Sequence, residues 1–412
     1  YNGAANGGDE SYTIGIDFSG NIFISGNSDQ GATSADIVTI KYTPSGNEIV
    51  SVINLPNFQR PNALKINNNG DVFIAGITRT GANPSFDDYI TIKYNNSLTF
   101  QWSKTYNGTA NNTDNALALV TDASGNVYVT GFSYWTGQFY NYVTIKYNSN
   151  GDSLNAASYN GPLNNNDVPT SIGIDNANNI YVTGYSVAAT SPAYVNDYAT
   201  LQYNSSLVQQ WVNRYNDTGN GDDKATSLAI DRFNNVYVTG FSANSLLFYD
   251  YLSIKYNSSG TPLCTLRQNV AGSNLNAYAT QIVVDTAQVF YLTGAANVSG
   301  SGLNYLTIRN SLYPVGLKSL SGEVPAKYNL YQNYPNPFNP FTIIRFDVSA
   351  ASIVKLAVFD VSGKEISILA NEYLKPGVYE YSWDASDYSS GIYFYRLSTE
   401  KYSETKKMAL IK

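Results

Sequence analysis

The stretch Gly125-Asn126-Val127-Tyr128-Val129-Thr130-Gly131 is a short alternating run closed by glycine, and its meaning comes from counting its copies. It returns as Asn21-Ile22-Phe23-Ile24-Ser25-Gly26, Asp71-Val72-Phe73-Ile74-Ala75-Gly76, Asn179-Ile180-Tyr181-Val182-Thr183-Gly184, Asn235-Val236-Tyr237-Val238-Thr239-Gly240 and Val289-Phe290-Tyr291-Leu292-Thr293-Gly294. The closing glycines stand 50 to 56 residues apart. One copy alone would read as a glycine-rich ligand loop. Six copies at that period are a structural repeat with loops of variable length.

Each repeat parses into four strand-like segments, best seen in the third copy. Ala116 to Thr121 is apolar and ends at the turn Asp122-Ala123-Ser124-Gly125, which supplies the polar and positive-φ residues of a tight hairpin. Asn126 to Thr130 returns, the variable stretch Phe132 to Tyr140 follows, and Tyr142-Val143-Thr144-Ile145-Lys146-Tyr147 is the third strand. A degenerate fourth strand runs to Tyr159. Its third-strand phrase recurs as Asp88 to Tyr94, Asp197 to Tyr203 and Asp250 to Tyr256, and more weakly as Asp36 to Tyr42 and Asn304 to Arg309. Both faces of the second strands are apolar or aromatic, so each strand needs a sheet on either side. Four-stranded antiparallel sheets stacked around an axis meet that need: a β-propeller with one blade per repeat, six in all.

These repeats resemble the bacterial SBBP β-propeller repeat. The resemblance rests on the aspartate turn, the Gly-Asn-Val-Tyr-Val-Thr-Gly strand, the Asp-Tyr-x-Thr-Ile-Lys-Tyr strand, and exits such as Gln101 to Gly108 and Trp211 to Asn216. It covers residues 1 to about 310 and implies a fold, not an activity; six copies depart from the family's seven blades. Tyr1-Asn2-Gly3 aligns with Tyr106-Asn107-Gly108, just past the place of an outer strand. The sixth copy is therefore expected to draw a fourth strand from Ser311 to Ser319, where Pro314 and Gly316 make a poor one, or to borrow it. An open blade edge would be a template for another chain.

The composition closes off several chemistries. The chain of 412 residues contains no histidine, which excludes Ser-His-Asp and Cys-His catalysis and His-ligated zinc. Cys264 is the only cysteine, so no intramolecular disulfide or thiolate cluster can form. A net charge of −7 offers no basic field for nucleic acid or an anionic membrane. No apolar run is long enough to span a bilayer as a helix.

Beyond a linker at 319–327 the composition changes: Glu10 and Glu48 are the only glutamates before Glu323. The proline-rich stretch Tyr331 to Pro340 reads as an extended lead-in. Alternating runs follow at Thr342 to Val348, Ile353 to Asp360, Glu365 to Ala370, Gly377 to Trp383, Gly391 to Ser398 and Glu404 to Ile411, the pattern of a small immunoglobulin-like β-sandwich. The expected division is thus a propeller over 1–318 and a sandwich over 328–412.

This segment resembles the C-terminal sorting domain of type IX secretion substrates of the Bacteroidota. The carriers are Tyr334-Pro335-Asn336-Pro337-Phe338-Asn339-Pro340, Val358 to Gly363, Trp383-Asp384, Ser390 to Leu397 and Lys406 to Lys412. The resemblance implies export through the periplasm by the type IX machinery, a final place on the outer surface or in the medium, and a sorting signal carried by Gly391, Tyr393, Lys406, Lys407, Met408 and Lys412.

Candidate chemistry within the repeats is sparse. Asp17, Asp122, Asp175, Asp231 and Asp285 recur in turns that superficially resemble calcium loops, but no bidentate glutamate follows at the spacing calcium loops use. Bonds to their own turn amides explain the recurrence, and no cofactor is expected, calcium being the one metal such turns would admit. The densest oxygen cluster, Asn216 to Asp223, reads as a solvated inter-blade loop. Paired carboxylates for glycoside hydrolysis would have to come from Asp29 and Asp87. Lys41, Lys93, Lys146 and Lys255 share one strand position, where a stem packed on aromatics carries its charge to the surface. The aromatic loops, with Tyr134, Trp135, Phe139, Tyr140, Phe248 and Tyr249, are the candidate contact surface for glycan or protein. The sequence thus points to a non-catalytic secreted or cell-surface protein that binds or self-assembles, through a blade edge or the sorting domain. The alternative is a glycan-binding propeller with weak lyase or hydrolase activity.

Overall fold

The computed structural model describes residues 7–29, 35–53, 58–79, 86–190, 194–217, 220–244, 246–269, 275–285, 289–298, 302–311, 316–321, 324–385 and 388–411. The described residues are all-β and separate into two compact units, Tyr1–Asn310 and Ser311–Lys412.

In the first unit each repeat is one antiparallel sheet whose strands follow chain order. The third is representative: Asp114–Thr121, Val127–Trp135, Phe139–Tyr147 and Ser153–Tyr159. Five such four-stranded sheets precede a sixth of three strands, Ala277–Val284, Val289–Val298 and Gly302–Ser311. The first strand of each sheet packs on the first strand of the next. Between first and second strands the register slips by one residue beside the closing glycine, as at Thr130/Gly131. A side chain there is excluded, since a Cβ on Gly131 would sit 1.9 Å from the Asn115 carbonyl oxygen.

Core side chains lie between successive sheets, not within one. Tyr128 packs with Ile172, Ile180 and Val182 of the fourth sheet, and Phe23 and Ile37 of the first pack with Val72 and Ile74 of the second. In the second, third and fourth sheets the tyrosine that opens the third-strand phrase bridges to the following sheet. Tyr89 donates to the Val143 carbonyl (3.2 Å), Tyr142 to that of Ala199 (3.4 Å) and Tyr198 to that of Leu252 (3.1 Å). In the first, third, fourth and fifth sheets a pair of buried hydroxyls joins second and third strands, as Thr130 with Thr144 at 2.9 Å and Thr183 with Thr200 at 2.8 Å.

The repeated lysines differ from expectation. Lys41, Lys93 and Lys255 are buried, with their ammonium groups about 5 Å from the rings of Phe23, Phe73 and Tyr237. Lys41, Lys93 and Lys146 donate to carbonyls of the next sheet's turn, those of Asn96, Ser149 and Ser205. The cation is clamped between a ring quadrupole and a turn rather than carried into solvent.

In the second unit two four-stranded sheets enclose one core containing Phe338, Phe346, Leu356, Trp383, Tyr395 and Met408. One sheet orders Gly316–Ser321, Gly377–Asp384, Phe341–Val348 and Asn329–Leu330; the other orders Glu365–Leu374, Ser352–Phe359, Gly391–Ser398 and Ser403–Leu410. Gly316–Ser321 thus pairs with Gly377–Asp384, not with the sixth repeat. Residues expected to lie in a terminal blade and a linker are an edge strand of the second unit.

Candidate functional site

The last strand pair of the second unit holds the expected sorting residues together. Gly391–Ser398 and Ser403–Leu410 pair so that Gly391 faces Leu410 and Tyr393 faces Met408. Met408 is fully buried, whereas Lys407 is exposed and Lys406 is half-buried in an ion pair with Glu404 at 3.1 Å. Lys412 lies outside the described residues. The proline-rich lead-in grips this strand from the side. The Phe338 amide donates to the Ala409 carbonyl and the Ile411 amide to that of Phe338, both at 2.9 Å, while Asn336 accepts from the Ala409 amide. Asn333, buried, receives no ladder partner but donates its amide to the Tyr395 hydroxyl at 2.7 Å, and that hydroxyl donates to the Tyr331 carbonyl. The prolines leave this segment few donors, and the remaining ones are shared out: Phe338 to the terminal strand, Tyr331 and Tyr334 to the carbonyls of Arg345 and Ile343.

The aromatic surface of the repeats lies where second strands turn into third ones. Phe132 to Tyr140, expected as a loop, continues the hairpin: Tyr134 pairs with Tyr140 and Trp135 with Phe139 around the tight turn 136–138. The rings pack on one another, Phe132 on Tyr140 at 4.7 Å and Tyr134 on Phe139 at 6.3 Å, leaving Phe139 half exposed. Tyr249 instead joins Phe241 of its own sheet at 5.2 Å and Tyr278 of the next at 5.3 Å, and Phe248 is part-buried beside the exposed Leu246 and Leu247. The six residues therefore fall in two separate clusters on two sheets, and Tyr249 serves packing between sheets.

The recurring turn aspartates bond their own turns. Asp122 accepts from the amides of Ser124 and Asn126, Asp175 from those of Ala177 and Asn179, and Asp231 from those of Phe233 and Asn235, all within 2.8–2.9 Å. Among the described residues no cluster of three or more metal-ligating side chains occurs. The oxygen-rich loop at 216–223 is ion-paired: Asp217 with Arg267 at 2.7 Å and Asp222 with Lys224 at 2.9 Å. Asp87 pairs with Arg79 at 2.8 Å.

A second aspartate series escaped the sequence reading. Asp114, Asp167 and Asp223 open their first strands and accept from the amides of Gly108, Gly161 and Asp217, six residues upstream, at 2.6–2.9 Å. They hold the exit turn of the preceding fourth strand. Burial pushes Asp114 and Asp223 up to about 6 despite those bonds. The available signal was the fixed offset of six residues from the Tyr-Asn-Gly exits.

Comparison with known proteins agrees with both halves of this description. Residues 332–412 match the family model described as a secretion system C-terminal sorting domain, and residues 161–188 and 210–247 match the β-propeller repeat model. The chain therefore carries SBBP β-propeller repeats and a type IX sorting domain, which directs export to the cell surface or beyond; no helix in the described residues is long and apolar enough to cross a membrane. A protein of unknown function from Bacteroides caccae is 14% identical over 65% of this chain and 84% of its own, with a TM-score of 0.40. PorZ, a surface component of the type IX secretion system of Porphyromonas gingivalis, is 12% identical over 99% of this chain and 71% of its own, with a TM-score of 0.33. A GH43_1 enzyme from Xanthomonas citri complexed with xylotriose is 10% identical over 74% and 90%, with a TM-score of 0.28. No curated protein matches the chain.

Proposed function

We propose that this exported protein is a structural or contact-making component of the outer surface that works by binding and not by turnover, with six propeller blades followed by an immunoglobulin-like sorting sandwich. The observation that carries the reading is the commitment of the repeated carboxylates: Asp122, Asp175 and Asp231 each accept from two amides of their own turn. A general acid or nucleophile needs a carboxyl turned toward substrate. Assays of the purified chain on a panel of polysaccharides should release no reducing ends. Release that disappears in Asp29→Asn or Asp87→Asn would overturn the reading.

A second reading, contact with surface glycan, is favoured by the hairpin tip where Phe139 is half exposed over the ring of Tyr134. Such a platform suits the apolar face of a sugar ring. Retention on a glycan array that falls at least tenfold in Phe139→Ala, with melting unchanged, supports it; an array without hits removes it.

A further inference from the structure

The sheet-to-sheet contacts inside the first unit follow one pattern, with Ile37 in the tyrosine's place in the first of them, and the two outer faces of the array carry the two halves of that same contact. Consider the position two residues before the end of each first strand. Leu119, Ile172, Leu228 and Ile282 are 2–8% exposed because the preceding sheet covers them, whereas Ile14 of the first sheet is 68% exposed. Its neighbours on that face, Ile16 and Ile22, are exposed as well, although Val127, Ile180 and Val236 at the position of Ile22 are fully buried. The opposite face of the sixth sheet is equally bare. Tyr305 occupies the position of the bridging tyrosines Tyr89, Tyr142, Tyr198 and Tyr251, which are at most 1% exposed, and is itself 98% exposed. Val283, the counterpart of the buried Val120, is 55% exposed.

The socket for such a tyrosine is also present. In the internal contacts the tyrosine hydroxyl lies over the closing glycine of the next sheet: a Cβ on Gly184 would stand 2.6 Å from the Tyr142 hydroxyl and one on Gly240 2.7 Å from that of Tyr198. The equivalent glycine of the first sheet, Gly26, lines a cavity of about 260 Å³ together with Ile24, Val38 and Ile40. Val38 holds the place of Val143 and Ala199, whose carbonyls receive the bridging hydroxyls. The cation is matched too, since Arg309 takes the strand position from which Lys41, Lys93 and Lys146 reach the next sheet's turn.

We propose that the sixth sheet of one copy docks on the first sheet of another, Tyr305 entering the cavity at Gly26, so that copies join head to tail by repeating the contact they use internally. The occupant is a second copy, because Tyr305 on the sixth sheet and the cavity at Gly26 on the first are the two matching halves of the internal contact. A contact between unlike faces leaves one face free at each end and so extends a row of copies or closes a ring of several. The proposal deepens the structural reading above and rests on it only for the setting in which copies meet.

The test uses the full chain and two single variants at exposed positions, Ile14→Asp and Tyr305→Asp. Multi-angle light scattering should give the wild type a mass that grows with concentration, and each variant alone the monomer mass. An equimolar mixture of the two should give a dimer and nothing larger, since only one intact pair of faces remains. Unchanged melting of the variants at high dilution shows that they fold. A wild type that stays monomeric at every concentration, with Ile14→Asp lowering its melting temperature, means closure within one chain and overturns the proposal. Assembly that persists in both variants places the contact elsewhere and also overturns it. Neither result bears on turnover, which the polysaccharide assay reads separately.

Discussion

Glycines such as Gly131 and Gly240 act through what they lack. A Cβ on Gly240 would meet the Lys224 carbonyl oxygen at 2.0 Å, and backbone cannot swing aside as a flexible side chain can. Gly240→Ala should therefore lower stability by about 1–3 kcal/mol in chemical denaturation, as overpacked cores do. Gly8→Ala, where a Cβ meets nothing within 4 Å, is the control and should change little. The strand-opening aspartates make a prediction in pH. Asp114 and Asp223 are raised by burial to about 6 from 3.8, so the folded state holds their protons more tightly than the unfolded chain does. Their contribution is fully present below about pH 3.8 and is lost as pH rises through about 6. Denaturant midpoints of the first unit should thus rise between pH 7.5 and 5, and Asp114→Asn with Asp223→Asn should flatten that slope; a slope unchanged in the double variant would refute the assignment.

At the scale of single elements, the terminal strand Ser403–Leu410 is both core and signal. Met408 is fully buried among Trp383, Tyr395 and Leu410, so Met408→Ala should cost about 2–5 kcal/mol and impair export through misfolding. Lys407 is exposed, and Lys407→Ala should leave stability within about 0.5 kcal/mol. If export of Lys407→Ala nevertheless fails, the machinery reads that charge directly; calorimetry and fractionation of cells separate the two cases. Elements of this kind were largely legible in the sequence. Val127 to Gly131 announces itself because a strand buried on both faces must be apolar throughout and must end where a neighbouring backbone comes close. Gly316–Ser321 was not legible, since its partner, Gly377–Asp384, lies some sixty residues on and nothing local selects it over the sixth repeat. The lysines were misread for a related reason: Lys93 sits in an apolar strand whose cover, the turn at Ser149, belongs to another sheet.

For the first unit taken whole, nearest-neighbour construction governs behaviour. Each sheet packs on the one before and the one after, as in repeat proteins whose stability is a sum of unit and interface terms. Ile14 and Tyr305 mark the two places where an interface term is absent in the single chain. Amide hydrogen exchange should accordingly be fastest in the first and sixth sheets and slowest in the third and fourth, and uniform protection across all six would contradict this picture. The outer faces also tie robustness to abundance. With the proposed docking, a dilute chain should fray from its ends and a crowded one should have them covered, so the midpoint of thermal unfolding should climb with the amount of protein by mass action. Molecules shed singly from the cell would then be the fragile ones, first to be cleared by proteases, and those gathered densely at the surface would persist.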